Sequence, residues 1–347
     1  MVAQARLRGG QLCRFYSLSP WIGCPGGTGM RIEIGMACLR HVILSAEASG
    51  GNSMEIMLRD RRAVLAFVGP ALLVYSLIVL VPIVWSLGYT VFEGNVIAGF
   101  QFVGFHNYAF LFSDPSFWQA LLFTVKYAVV VTIGQVGIGL VLSLLYVFFL
   151  GKASGLIRTL VFFPVVLPTV AVAELFKKIF EIVPQYGLVN SLLQLAHLDA
   201  WIQPWLGQGG SAFWVIATMD IWRSMGFYAV LLFAGLVDIP GEILESAKVD
   251  GASGLRLIRY VVLPLLTPIL FSSFIFSING TLKVFDTVLA LTGGGPGQAT
   301  TPLTLDMFNT AFANGQYGYG STLATSLAVL SLFVTLLLFR SARSDVA

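Results

Sequence analysis

Six long apolar stretches, each near the length of a membrane-crossing helix, dominate this sequence from residue 63 to residue 339. A helix of about 20 apolar residues crosses the roughly 30 Å hydrocarbon core of a bilayer. Hydrophobic residues make up 57% of the 347 residues and charged residues 11%, far from the averages of soluble domains. The sequence therefore predicts an all-α membrane protein, a bundle of six transmembrane helices. The predicted spans are Ala63–Leu87, Ala120–Leu150, Thr159–Phe176, Ser211–Leu236, Val261–Leu282 and Tyr319–Phe339.

Prolines occur within or beside these spans, among them Pro164 and Pro168 in the third. A proline removes one backbone hydrogen bond of a helix. Membrane helices tolerate the loss because neighbouring helices and hydroxyl side chains satisfy the freed groups. We therefore expect the prolines to be accommodated within the six spans.

Residues 1–56 differ in composition from the rest of the chain. They contain all three cysteines, Cys13, Cys24 and Cys38, and no apolar run long enough to cross a membrane. We predict that residues 1–56 form a disordered tail and that residues 57–347 form the transmembrane domain. Met54 and Met57 lie just before the first span, so a start site assigned too far upstream is an open explanation, and expression from Met57 is expected to give a functional chain.

The distribution of lysine and arginine predicts the orientation, because short loops rich in these residues stay in the cytoplasm. One set of loops and ends carries ten basic residues, and the opposite set carries three. Both ends of the six-helix body are therefore predicted to be cytoplasmic, in a multi-pass membrane protein. The ten are Arg59, Arg61, Arg62, Lys152, Arg158, Lys248, Arg256, Arg259, Arg340 and Arg343, and the three are Lys177, Lys178 and Lys283.

Several other classes of function have little support. The net charge is only +3 and the basic residues are scattered, so we expect no nucleic-acid partner. The cysteines lack a second CxxC or a neighbouring histidine pair, so neither a disulfide framework nor a metal site is indicated. No catalytic cluster recurs at one membrane face, and the Gly151-Lys152 pair precedes Ala153 rather than the serine or threonine of a nucleotide-binding loop. We therefore expect a chain that is not an enzyme and binds no cofactor of its own.

The segment Asp238–Pro264, which joins the fourth and fifth spans on the predicted cytoplasmic side, reads as two short helices with a sharp turn. Pro240 suits a first helical position. Gly251 can adopt the left-handed conformation that ends a helix, and Ser253 can cap the next one.

The first of these helices is predicted to be amphipathic. Ile243, Leu244 and Ala247 fall on one of its faces at helical spacing. An amphipathic helix pair in a cytoplasmic loop offers a surface to a partner protein.

In this segment the sequence resembles the permease subunits of bacterial binding-protein-dependent ABC importers, in the branch of the maltose and glycerol-3-phosphate systems. That family carries Glu-Ala-Ala, three residues, Gly, nine residues, Ile, one residue and Leu-Pro. The chain has Glu245-Ser246-Ala247, then Gly251, Val261 and Leu263-Pro264 at the same spacing, departing only by Ser for Ala and Val for Ile. The resemblance covers about residues 60–340 and includes the segments Phe102–Tyr108, Tyr186–Asn190 and Leu291–Pro296.

The resemblance implies a multi-pass protein of the bacterial inner membrane and a division of labour. This chain would line the pathway for a sugar or oligosaccharide together with a second permease subunit. Two separate ATP-binding cassette subunits would hold ATP and Mg²⁺ and receive the loop, and an extracytoplasmic solute-binding protein would deliver the solute. The residues that it implies for ATPase coupling are Glu245, Ser246, Ala247, Asp250, Gly251, Leu263 and Pro264.

Asp220 and Arg223 are ionisable residues deep in the fourth span. Such residues are costly in a membrane and usually face a bundle interior, a pathway or each other. Their spacing of three places them on one helical face. We favour a neutralising pair that fixes helix packing, and contact with solute is the alternative.

Sugars are recognised by hydrogen-bonding groups alternating with aromatic faces, and the later spans supply both. Hydroxyl and amide side chains also join membrane helices to one another, so each candidate has this second explanation. The candidate pathway residues, besides Asp220 and Arg223, are Trp222, Tyr228, Ser277, Asn279 and Thr281.

The rival hypothesis is a self-sufficient carrier or channel driven by an ion gradient. Such carriers usually show inverted repeats and broken helices with ion-coordinating carboxylates near the middle of the membrane. Only Asp220 fits that description, and no internal repeat is evident. The sequence therefore favours the ATP-driven importer.

Overall fold

The computed structural model describes residues 4–6, 12–14, 61–95, 97 and 99–344. The chain divides into two compact units, residues 1–80 and 81–347. In the first unit, strand β1 (Gln4–Arg6) pairs antiparallel with β2 (Leu12–Arg14), and helix α1 (Arg61–Tyr75) continues into a π-helical turn at 76–80. Apart from these two short strands, the tail predicted for residues 1–56 lies outside the described residues.

The second unit is mostly helical. Strands β3 (Phe92–Asn95) and β4 (Gly99–Phe102) form an antiparallel hairpin, with Phe92 opposite Phe102. The helices are α2 (Val81–Tyr89), α3 (His106–Ser113), α4 (Pro115–Phe148), α5 (Ser154–Val166), α6 (Thr169–Ile179), α7 (Leu188–Leu195), α8 (Gly209–Val237), α9 (Gly241–Val249), α10 (Leu255–Leu257), α11 (Leu263–Thr281), α12 (Asp286–Leu291), α13 (Leu303–Phe308) and α14 (Tyr317–Ser344).

Five of the helices in the described part of the chain are long and apolar enough to cross a membrane. They confirm the first, second, fourth, fifth and sixth predicted spans, with ends shifted by a few residues. Their bounds are Val68–Tyr89, Pro115–Phe148, Gly209–Val237, Leu255–Thr281 and Tyr317–Arg340.

The third predicted span, Thr159–Phe176, is not one straight helix. It corresponds to α5 and α6, which meet at an angle of 97° and amount to one span only if the bent pair is counted together. The break follows from Pro168, whose ring disfavours helical backbone in the preceding residue. Leu167 accordingly adopts an extended conformation with ψ 139°. Here proline ends a helix instead of being accommodated within it.

The core of the second unit forms around α4 and α8, which pack along their length. One buried cluster surrounds Tyr127 and Ile216, and a second surrounds Leu232 and Leu266 of α8 and α11. Helix α5 crosses α8 at Gly226, where a Cβ atom would lie 2.3 Å from the backbone oxygen of Val161. Only glycine permits this approach, because two atoms without a bond cannot come so close.

At the hairpin end of the second unit, side chains join elements distant in sequence. Asn107 of α3 donates hydrogen bonds to the backbone oxygens of Thr90 and Phe92, both at 2.9 Å. Asp114 caps α4 by accepting from the Ser116 N–H at 2.9 Å, as expected of an aspartate in this position. Its second oxygen accepts from the Tyr319 hydroxyl at 2.5 Å, which ties the start of α4 to α14.

Candidate coupling loop and buried polar centre

The 238–264 segment begins with α9, which ends at a tight left-handed turn. The Ala252 N–H donates to the Ala247 oxygen at 2.9 Å, and the Gly251 N–H donates to the Lys248 oxygen at 3.1 Å. These bonds form a Schellman motif, which satisfies carbonyl groups at the end of the helix. Gly251 has φ +86°, which confirms the predicted left-handed glycine. Pro240 precedes the first helical residue as the N-cap instead of occupying that position.

Helix α9 packs one face against the rest of the second unit. Leu244, Ala247 and Ala252 contact the buried cluster that contains Tyr228 and Leu266. The side chain of Ile243, expected to share this face, is instead exposed, because it lies on the flank of the short helix. The coupling candidates Glu245, Ser246, Asp250 and Gly251 are exposed as well.

The second predicted short helix is not separate. Helix α10 continues through a π-helical turn at 258–262 into α11, so it forms the start of the fifth span. Its N-cap is Gly254, without a side-chain hydrogen bond, and the predicted cap by Ser253 is wrong. Leu263 and Pro264 occupy the first turn of α11, with Leu263 half-buried and Pro264 exposed.

The exposed surface of the segment mixes apolar and charged side chains. Val249, Leu255 and Tyr260 are 87%, 82% and 70% exposed. Arg256 and Arg259 are exposed beside them. Apolar side chains gathered on a surface with charges around them are typical of a protein interaction site.

The buried polar centre lies between α4 and α8. Arg223 forms an ion pair with Asp220, with 3.3 Å between Nη2 and Oδ1. The Tyr127 hydroxyl donates to the other carboxylate oxygen of Asp220 at 2.8 Å. Asp220 is only 7% exposed, so these two partners compensate a charge that would otherwise be costly. Among the described residues, the buried Nε of Arg223 has no hydrogen-bond partner.

Tyr127 was not identified from the sequence. It lies in the long apolar run of α4, where nothing in the pattern indicates a carboxylate 93 positions away as its partner. The only available signal was the rule that a membrane carboxylate needs a partner, which does not say where that partner lies in the chain.

Trp222 and Tyr228, also on α8, occupy different surroundings. The ring of Trp222 lies 5.9 Å from that of Phe176 on α6. Tyr228 is buried in the second cluster, two residues after Gly226, which contacts α5. The structure therefore places Trp222 near the ion pair, and Tyr228 further along α8 towards α9.

Ser277 and Thr281 belong to a chain of hydrogen bonds that joins α4 to α11. Gln135 donates to Ser277 through a short hydrogen bond, and the Ser277 hydroxyl donates to Thr132 Oγ1 at 2.9 Å. Thr132 and Thr281 hydroxyls lie 3.3 Å apart. This is the helix-joining arrangement described as the alternative for these residues. Thr132 and Gln135, like Tyr127, were not identified from the sequence.

Asn279 lies apart from the other candidates. Its side-chain oxygen accepts from the Thr335 hydroxyl of α14 at 3.1 Å, and its amide donates to the Ile275 backbone oxygen at 2.9 Å. The structure therefore brings Asp220, Arg223 and Trp222 together, links Ser277 to Thr281, and turns Asn279 towards the last span.

Comparisons with known proteins identify the family. Residues 135–343, more than half of the chain, match the model of the binding-protein-dependent transport system inner membrane component. The probable ABC transporter permease protein YurN of Bacillus subtilis is 34% identical over 273 residues, which cover 78% of this chain and 92% of that protein. The trehalose/maltose transport system permease protein MalF of Thermococcus litoralis is 32% identical over 298 residues, 84% of this chain and 98% of the relative.

Solved structures show the same fold. A chain of a bacterial ABC transporter involved in the import of the acidic polysaccharide alginate aligns with a TM-score of 0.73 at 20% identity, covering 84% of this chain and 99% of that one. Sequence and fold agree, and this protein belongs to the family of binding-protein-dependent transport system inner membrane components, the multi-pass permease subunits of ABC importers.

Proposed function

We propose that this chain is one of two permease subunits of an ATP-driven importer that moves a sugar or oligosaccharide delivered by an extracytoplasmic binding protein. The observation that carries the proposal is the 238–264 segment, in which a short helix and a left-handed glycine lie at the family's spacing from Leu263-Pro264. The names of similar proteins support a sugar as solute, among them the trehalose/maltose permease and a sulfoquinovosyl glycerol permease of Agrobacterium fabrum. The alginate transporter was solved in complex with an alginate-bound periplasmic protein, which supports delivery by a binding protein.

The energy would come from two separate ATPase subunits, which hold ATP and Mg²⁺, and this chain would have no ATPase site of its own. Helix α9 would dock on one of them. Glu245 and Asp250 offer carboxylates, and Val249 offers an exposed apolar side chain for burial. Ala247, which faces inward, and Leu263 and Pro264, at the start of α11, would act by holding α9 in place.

The orientation proposed from the basic residues puts α9 and both ends of the six-helix body in the cytoplasm. The hairpin end of the second unit, with β3 and β4, would then face outward, where the binding protein arrives.

For the pathway we propose that Trp222 and Arg223 contact solute. The Arg223 side chain remains 25% exposed beside its ion pair with Asp220, and Trp222 offers a partly exposed indole. Asp220 would hold the guanidinium in position. Tyr228, Ser277, Asn279 and Thr281 would shape the path by fixing α8, α11 and α14 against their neighbours.

Reconstitution into proteoliposomes tests the function. The complete set of two permeases, two ATPases and binding protein should accumulate sugar only with ATP, and omission of any one component should abolish accumulation. Uptake by this chain alone, driven by an ion gradient, would instead identify a self-sufficient carrier.

The coupling role has its own test at Gly251. A Cβ atom there would meet nothing within 4 Å, so Gly251→Val acts only through the left-handed backbone, which disfavours a β-branched residue by about 1–2 kcal/mol. We expect this variant to insert normally while ATP hydrolysis and uptake fall together. The matched control is Gly241→Val at the start of α9, where a Cβ atom also meets nothing within 4 Å and φ is ordinary. Equal activity of both variants would contradict docking through α9.

A further inference from the structure

A cavity of about 480 Å³ lies beside the first turns of α8, at its proposed outer end. Its volume falls within the roughly 300–1,000 Å³ of small-molecule sites. Its walls come from α8, from the loop that precedes it, and from Phe180 at the end of α6. The lining has three aromatic side chains, Phe180, Trp205 and Trp214, and four polar ones, Gln203, Gln208, Ser211 and Thr218.

The aromatic side chains offer broad apolar surfaces at two sides of the cavity. The rings of Phe180 and Trp205 meet edge to face at 5.9 Å, so they hold each other in place. Trp214 projects from α8 with 58% of its surface exposed, and Thr218 follows it one turn later on the same face. A sugar ring has apolar C–H faces that pack against such surfaces.

Apart from Ser211, whose hydroxyl donates to the Trp205 backbone oxygen at 2.6 Å, the polar side chains of the lining are available to a ligand. Within the part of the chain that the structure describes, the side chains of Gln203, Gln208, Trp214 and Thr218 form no hydrogen bond with protein atoms. Together they supply amide, hydroxyl and indole donors and amide and hydroxyl acceptors, which suits a ring edged with hydroxyl groups. The indole N–H of Trp205 is not available to a ligand, because it donates to Asn190 Oδ1 at 2.8 Å.

The lining also sets the charge of the ligand. None of the described residues around this cavity is charged. An acidic sugar in this cavity would lose water from its carboxylate and find no cation to compensate the loss. A neutral sugar has no charge to desolvate.

The cavity connects structurally with the buried polar centre. The ring of Trp205 contacts Phe180, Phe180 lies 6.1 Å from Phe176, and Phe176 lies 5.9 Å from Trp222. Trp222 also follows Thr218 by one helical turn of α8. A continuous aromatic wall therefore runs from the cavity to the neighbour of Arg223.

From these observations we propose that the cavity is a binding site for neutral saccharides at the outer mouth of the pathway, which holds a sugar ring before it reaches Trp222 and Arg223. The inference rests on the proposed function, since it requires that the complex imports a sugar.

The test uses the assembled complex of this chain with its second permease and ATPases, in nanodiscs without binding protein. The probes are maltose, trehalose, cellobiose and diacetylchitobiose, and cellobiouronic acid serves as the acidic comparison. Binding is followed by saturation-transfer NMR. We expect saturable binding of at least one neutral disaccharide, and no saturable binding of the acid.

Two variants locate that binding. Trp214→Ala should raise the dissociation constant about tenfold, the scale of one lost aromatic contact. Gln208→Leu should raise it several-fold. The control is Trp201→Ala, an exposed tryptophan of the same outer loop that does not line the cavity, and it should bind as the parent does.

Each other outcome contradicts the inference. Parental affinity in both Trp214→Ala and Gln208→Leu would show that the sugar binds elsewhere. Loss of the second permease from Trp214→Ala, with unchanged affinity in the complexes that still assemble, would show that a subunit covers the cavity. Uptake of neutral sugar by proteoliposomes without any binding in nanodiscs would reject this site and leave the importer function intact, whereas absence of any ATP-driven uptake would reject both.

Discussion

At the scale of single residues, the buried carboxylate of Asp220 has two partners among the described residues. One is the charged guanidinium of Arg223, and the other is the neutral hydroxyl of Tyr127. Tyr127→Phe removes the hydrogen bond to Asp220 and leaves the packing of the ring unchanged. An unsatisfied buried acceptor costs about 1–3 kcal/mol, so we expect the free energy of unfolding to fall by that amount. Unfolding of the purified chain in mixed micelles by increasing SDS measures it.

The same helix offers a matched control for this prediction. The Tyr146 hydroxyl is buried and has no hydrogen-bond partner among the described residues. Tyr146→Phe should therefore leave stability unchanged or slightly raise it. Equal losses in the two variants would mean that the Tyr127–Asp220 hydrogen bond contributes nothing specific.

A second prediction concerns Asp306, outside the membrane spans at the hairpin end. Burial, and next the nearby charge of Asp114, raise the pKa of the Asp306 carboxyl from 3.8 to about 6. The folded chain thus keeps this proton to higher pH than the unfolded chain, so its contribution to stability is fully present below about pH 4 and is lost as the pH rises to about 6.

Asp306→Asn should remove this pH dependence, because an amide does not titrate, and should raise the melting temperature near pH 7. Melting curves of parent and variant between pH 4 and pH 7.5 test this directly. If the melting temperatures of parent and variant changed equally with pH, Asp306 would titrate alike in the folded and unfolded chains.

At the scale of elements, the contact between α5 and α8 depends on Gly226. A methyl group added there would lie 2.3 Å from the Val161 oxygen and 2.9 Å from the Phe162 Cα, and backbone atoms cannot give way as a flexible side chain can. Overpacking of this kind costs about 1–3 kcal/mol, so we expect Gly226→Ala to lower the melting temperature in detergent. Gly210→Ala near the start of the same helix meets nothing within 4 Å and should not. A melting temperature unchanged in both variants would mean that α5 moves away at no cost.

The elements also show which features the sequence could predict. Five spans could be predicted from the length and apolarity of their segments. A helix that crosses the bilayer must be as long as the hydrocarbon core is thick, and it must be apolar to lie in that core. The sequence did not predict the bend between α5 and α6. Membrane helices often tolerate proline, but at Pro168 the ring's restriction of Leu167 prevails and ends α5.

The coupling loop was easier to predict from the sequence than the buried polar centre. The left-handed conformation of Gly251 follows from local chemistry, and the structure confirms it. The ion pair of Asp220 with Arg223 follows from their spacing, but Tyr127 and Thr132, which bond Asp220 and Ser277, lie on α4 more than 90 residues away in sequence. A spacing rule within one helix cannot reveal such partners. Ser253 failed as a cap because Gly254, with φ +54°, already sets the entry into α10.

At the scale of the whole molecule, the proposed orientation assigns the two ends of the helix bundle to opposite sides of the membrane. With Cys13, Cys24 and Cys38 replaced by serine, single cysteines can be introduced at exposed positions. We expect Ala299→Cys to react with an impermeant thiol reagent added outside intact cells, and Ala153→Cys to react only after the membrane is opened. The reverse pattern would invert the topology and, with it, the assignment of α9 to the cytoplasm.

Helix α9 shares its buried cluster with α8 and α11, because Leu244 and Ala247 pack there beside Tyr228. It is thus anchored in the bundle core by side chains, not only by its two chain connections. A shift of α9 driven by closure of the ATPases would therefore carry the adjoining ends of α8 and α11 with it as one rigid body. Nucleotide binding would reach the sugar pathway as a tilt of whole helices, and the hinge for that tilt would lie outside the coupling loop.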